Sequence, residues 1–144
     1  RPLLMVYLDT SVLVALLTRE PAADRVSAWL RHQQTGSLHI SGWTMTEFSS
    51  ALSLKLRTGQ LDVSQKTSAL AAFNHLVTRS LVTLPVSPSD YHAAARLCDR
   101  TELGLRAGDS LHIAIAVSNG LPVATLDKVM AGACSTIAHP ILPI

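Results

Sequence analysis

Four acidic residues keep apolar company: Asp9 in VYLDTSVLVALL, Glu47 in WTMTEFSSAL, Asp109 in DSLHIAIAV and Asp127 in PVATLDKVM. An ionised carboxylate against an apolar run costs free energy unless backbone donors or a cation compensate it. Asp9, Asp109 and Asp127 each stand where a helix can start, and Asp is a favoured N-cap, so a capping role is open to each. Glu47 lies inside a helical pattern, and its ordinary role is a rim residue reaching for water. Taken together, the four suggest something else. Carboxylates brought to one place repel one another and hold their protons to higher pH. A hard divalent cation, Mg2+ or Mn2+, relieves that conflict because it prefers oxygen ligands.

Whether they meet depends on the elements that carry them. Leu3–Leu8 reads as a buried strand and Thr10–Leu17 as a short helix. Pro21 opens a second helix ending near Gly36, and Leu38–Ser41 is a second strand. Helices are expected at Trp43–Leu56, stopped by Gly59, and at Asp62–Arg79. Leu81–Val86 has strand character broken by Pro85, and a helix from Ser87 or Ser89 runs to about Glu102. Gly104 and Gly108 bracket a loop before the wholly apolar helix Asp109–Asn119, which Gly120 ends. Pro122–Leu126 is a strand, and Ser135–Ala138 a candidate last one. Strands alternating with helices predict a three-layer α/β/α sandwich with a central, mostly parallel sheet. In such sheets ligands bind beyond the carboxyl ends of the strands. Asp9 and Asp127 fall there, and Asp109 can be carried there by its helix.

The 144 residues suit a single domain, 1–144, and 48% are hydrophobic. No apolar run approaches the roughly 18 residues that span a bilayer, so no membrane association is expected. There is no signal-peptide pattern, and Arg1 in place of Met implies a lost natural start. Cys98 and Cys134 stand far apart, with neither CxxC nor histidine at ligand spacing, and read as reduced thiols of a cytoplasmic protein. The surplus apolar character suggests a covered sheet and surface left for a partner.

At these residues the chain resembles a known family. YLDTSVLVALL, TEFSSAL, LRAGDSLHIAIA and ATLDKVM, in that order, resemble the PIN-domain nucleases, and more closely the VapC-type toxins of bacterial toxin–antitoxin pairs. The resemblance implies that Asp9, Glu47, Asp109 and Asp127 bind one or two Mg2+ or Mn2+ ions, and that Ser11 and Thr125 help to hold the site. It implies an endoribonuclease that hydrolyses RNA phosphodiesters with metal-activated water. It also implies a homodimer and a cognate antitoxin that inhibits by laying a peptide in a hydrophobic groove. Trp29, Trp43 and Leu54 are candidate groove residues. His112 matches the family's LH pair and is assigned no catalytic task.

Setting the four acids aside leaves six of the ten acidic residues against twelve Lys and Arg, a balance that favours phosphate contacts. Arg106, three residues before Asp109, is the leading candidate for a substrate phosphate, ahead of Lys55, Arg57 and Lys128. Aromatics are only 4%, which speaks for recognition of RNA shape and backbone over base stacking. A haloacid-dehalogenase-type phosphatase requires a second Asp two residues after the first, and Ser11 stands there. A CheY-like receiver fits the order of acids poorly. The remaining alternative is a non-catalytic PIN-like module that binds RNA or protein.

Overall fold

The computed structural model describes residues 4–144, so Leu3 lies outside the described residues. Its elements are β1 (Val6–Leu8), α1 (Thr10–Leu17), α2 (Ala23–Arg31), β2 (Leu38–Ser41), α3 (Gly42–Arg57) and α4 (Val63–Arg79). These are followed by β3 (Val82–Leu84), α5 (Pro88–Asp99), a 3-10 turn at Thr101–Leu103, α6 (Ala107–Ser118), β4 (Val123–Ala124) and α7 (Lys128–Thr136). The sheet order is β3-β2-β1-β4, and every pairing is parallel.

β1 shows why both faces are covered. Its three residues are fully buried, and neighbours in a strand point to opposite faces. Val6 and Leu8 enter one core with Val12, Leu13, Ile40, Phe48, Leu52 and Phe73. Tyr7 enters the other with Leu111, Ile113, Ile115, Val123 and Met130. Phe48 and Phe73 stack at 4.1 Å between centroids, which locks α3 to α4. The expected α/β sandwich is therefore what forms.

The chain lays down β1, β2 and β3 in one direction and then returns to place β4 on the other side of β1. That reversal makes the β1/β4 edge a topological switch point, where the loops leaving two neighbouring strands diverge and open a crevice. Asp9 leaves β1 at this point, and Thr125 to Asp127 leave β4.

Several boundaries differ from the sequence reading. Ser135–Ala138 is not a strand: the segment belongs to α7 and the turn after it. Met130, Ala133 and Cys134 face the core at helical spacing, and the only late sheet contact among the described residues is a bridge from Val123 to Ile141. Gly108 is not in a loop but in the first turn of α6. Trp29 and Trp43 pack against different cores, and Leu54 is exposed.

Candidate active site

Asp9 follows β1 directly and is 4% exposed. Its backbone occupies the N-cap position of α1, but its carboxylate makes no cap bond. The Ser11 hydroxyl instead donates to Oδ1 at 2.6 Å and accepts the Leu126 backbone N–H at 3.1 Å. Ser11 thereby ties the end of β1 to the segment after β4. Burial pushes the Asp9 carboxyl up to about 6, with the Asp127 charge adding to it. The Ser11 bond, the His112 charge and the Thr125 hydroxyl counteract that rise only in part.

Asp127 is the acid that does cap: its Oδ1 accepts the N–H of Val129 at 2.8 Å and of Met130 at 3.2 Å, opening α7. Thr125 Oγ1 accepts the Asp127 N–H at 2.9 Å and so shapes the turn out of β4. Asp109 is the third residue of α6, and Arg106 rather than Asp109 takes the N-cap position. Burial raises the Asp109 carboxyl above its ordinary value, and the charges of Asp127 and Glu47 raise it further. No cation pairs with it among the described residues. Arg106 is exposed beside this first turn.

Glu47 sits differently. It projects from the second turn of α3, and its Oε1 accepts from Thr10 Oγ1 at 2.6 Å and from His112 Nε2 at 2.5 Å. Burial alone would push its carboxyl up, but the bond and charge of His112 and the bond of Thr10 bring it below its ordinary value. Its Oε2 lies over Gly108, where a Cβ would stand 2.5 Å from that oxygen and 3.3 Å from Trp43 Nε1. Gly108 has ordinary helical geometry, so the glycine serves close approach, not backbone freedom. The Trp43 indole N–H is buried at this crowded point, where it makes no hydrogen bond of ordinary geometry but helps to lower the Glu47 carboxyl.

Sequence reasoning gave His112 no catalytic task, and its neighbours were out of reach of that reasoning altogether. The ring is 1% exposed; Tyr7 Oη lies 2.6 Å from Nδ1 and 2.9 Å from Ser41 Oγ. Burial holds the Tyr7 phenol well above its ordinary value, so it keeps its hydrogen. Two surface cavities, of about 320 and 780 Å3, are lined by residues such as Leu13, Leu30 and Leu76 or Arg19, Gln60 and Ser64, and by none of the four acids.

The acids feel one another's charge, Asp127 acting on Asp9 and Asp109, and Glu47 on Asp109. In kind the donor set fits a hard divalent cation: oxygen ligands only, two of them carrying charge that the protein leaves uncompensated. In spacing the set is open. Among the described residues no three His, Cys, Asp or Glu side chains form a group able to hold a metal ion. Among the described residues no helix is long and apolar enough to cross a membrane.

Comparison with known proteins agrees with this architecture. The toxin VapC20 from Mycobacterium tuberculosis, titled as a sarcin-ricin loop cleaving toxin, superposes with a TM-score of 0.70 at 16% identity, over 89% of this chain and 94% of that one. DNA-bound VapBC from Salmonella typhimurium gives 0.68 at 19% identity, over 98% of both chains. PAE2754 from Pyrobaculum aerophilum gives 0.67 at 24% identity, over 90% of this chain and 79% of that one. None of the curated proteins compared matches the sequence. Residues 6–134 match the PIN domain, and the chain, with its all-parallel sheet, belongs to the PIN domain family.

Proposed function

We propose that this chain is a Mg2+- or Mn2+-dependent endoribonuclease and the toxin of a toxin–antitoxin pair. The observation that carries the reading is Asp9. A carboxylate 4% exposed at the switch point, with the hydroxyls of Ser11 and Thr125 as its side-chain partners and a carboxyl raised to about 6, is poised for a cation. Family membership and neighbours titled as VapC and VapBC proteins support it.

Asp9, Asp109, Asp127 and Glu47 would hold the ion, the first three by turning their carboxylates inward from the open arrangement. A bound divalent ion supplies Lewis-acid activation of water and offsets charge gathering on the phosphate. Asp109 is the acid suited to take the proton from water, because its carboxyl is already raised and no side chain pins it. Glu47 is a poor base, with one oxygen held by two donors and its carboxyl lowered. Cys134 supplies no nucleophile, its thiol being pushed up to about 11 by burial and by the Asp9 charge. Ser11 is committed to Asp9 and Leu126, and its role is support. Arg106, exposed beside Asp109, is placed to meet a substrate phosphate. The chain would act in the cytoplasm as a homodimer, restrained by an antitoxin whose arginine enters the acidic site.

A second reading has its own support. Asp127 is occupied as a cap, and among the described residues no three acids form a metal-holding group, which suits a PIN module that grips RNA or protein without cutting it. One assay separates the two. Cleavage of RNA that EDTA abolishes and Mn2+ restores supports the nuclease; binding without cleavage in either condition supports the module.

A further inference from the structure

His112 takes no part in the proposed chemistry, yet it touches the one acid of the four that two side-chain donors hold by a single oxygen. The direction of its bonds follows from what each atom can do. A carboxylate oxygen only accepts, so His112 Nε2 carries the hydrogen in its 2.5 Å contact with Glu47 Oε1. In the neutral ring Nδ1 is then bare and accepts the Tyr7 phenol hydrogen at 2.6 Å. The Tyr7 oxygen in turn accepts the Ser41 hydroxyl hydrogen at 2.9 Å. Thr10 adds a second donor to the same Oε1 at 2.6 Å.

A single directed chain therefore runs Ser41, Tyr7, His112, Glu47. Ser41, Tyr7 and His112 are each 1% exposed or less, so water does not compete for these bonds. Both ends of the chain belong to α3, Ser41 at its cap and Glu47 on its second turn, and its middle crosses β1 and α6. An apolar side chain would fill the His112 position without burying polar nitrogens. What the imidazole adds is an N–H aimed at Glu47.

We propose that His112, held with its hydrogen on Nε2 by Tyr7, is a positioning residue that occupies Glu47 Oε1 and so fixes where Oε2, the oxygen that remains for a cation, lies over Gly108. Gly108 is the other half of the clamp, since a Cβ there would displace Oε2. The purpose of the clamp rests on the nuclease reading; the clamp itself does not.

The test uses the full chain as wild type, Tyr7→Phe, His112→Asn and His112→Gln, with thermal melts as the control for folding. Gln extends an amide N–H toward the Nε2 position, whereas Asn reaches only about as far as Nδ1. In metal-free wild type at mildly alkaline pH, the ring 15N spectrum should show hydrogen on Nε2 and a bare Nδ1, and Tyr7→Phe should move the Nδ1 resonance. Calorimetric Mn2+ affinity should fall roughly 10–100-fold in His112→Asn and return most of the way in His112→Gln. A bare Nε2, or a hydrogen on Nδ1, overturns the directed chain. His112→Asn binding Mn2+ as well as wild type does overturns the positioning role. If the His112 variants fail to fold, Tyr7→Phe decides, because it deletes one oxygen and keeps the ring: unchanged Mn2+ affinity and an unmoved Nδ1 overturn the proposal. Wild type that binds no Mn2+ overturns the nuclease reading and the clamp's purpose, while its ring spectrum still decides whether the clamp exists.

Discussion

Asp9 and Glu47 are both acids at the sheet's carboxyl edge, yet they sit in opposite electrostatic states. Asp9 is the more buried and has only neutral hydroxyls as its side-chain partners, and its carboxyl rises to about 6. Glu47 is more open, with 27% of its side chain exposed, and His112 and Thr10 bring its carboxyl below the ordinary value. Burial acts in the same direction on both; the partner decides the outcome. The site thus divides into a half whose carboxylate is held by side-chain donors, at the α3/α6 seam, and a half whose carboxyls are raised by burial, at the β1/β4 switch point. On the proposed reading, a cation would act on the second half.

Replacing Asp9 should break this contrast most severely. Asp9→Asn is expected to fold and to lose cleavage beyond the roughly 10–100-fold that disturbing an outer partner costs. Without metal above pH 6 it should be more stable than wild type, by up to about 3 kcal/mol, because an ionised buried carboxylate has gone. Each kcal/mol corresponds to about 2–4 °C in Tm for a chain of this size. Full activity with a lowered Tm would count against the assignment.

Wild-type stability against pH sharpens the same contrast. Asp9 is raised from 3.8 to about 6, so its contribution is complete below 3.8 and is lost as pH rises toward 6. Glu47 is lowered, so its contribution is complete above 4.5 and is lost as pH falls below that. Denaturant unfolding of metal-free protein should therefore show wild type losing stability relative to Asp9→Asn between pH 4 and 6, with the difference constant above that range. A difference that does not change across this window would mean that Asp9 is compensated after all.

The smallest effect is expected outside both halves. Arg106→Ala should weaken RNA binding and lower the salt dependence of that binding by about one unit, with little change in turnover at saturating RNA. An unchanged salt dependence would remove Arg106 from the phosphate path.

Much of the frame was legible because it is local. Thr10–Leu17 and Leu38–Ser41 have the expected bounds, since a β-branched apolar run and an apolar helix each announce their period within a few residues. Ser135–Ala138 reads as a strand because Thr136 and Ile137 have strand character, while Met130, Ala133 and Cys134 carry the helical spacing in small or atypical residues. Gly108 looked like a breaker because its reason lies 61 positions back, in the Glu47 carboxylate that needs the space. The acids stood out through their apolar neighbours. Which of them caps a helix, which pairs with a histidine and which keeps its charge was not readable. Those answers depend on contacts such as Tyr7 with His112, 105 residues apart, and Thr10 with Glu47, 37 apart.

A crystal of the full chain grown with Mn2+ and read by anomalous scattering addresses the cation directly. The account predicts a peak at the β1/β4 edge with the carboxylates of Asp9, Asp109 and Asp127 turned toward it, and Glu47 still bonded to His112. A strand edge that stays empty at saturating Mn2+, with those carboxylates left apart, would contradict it.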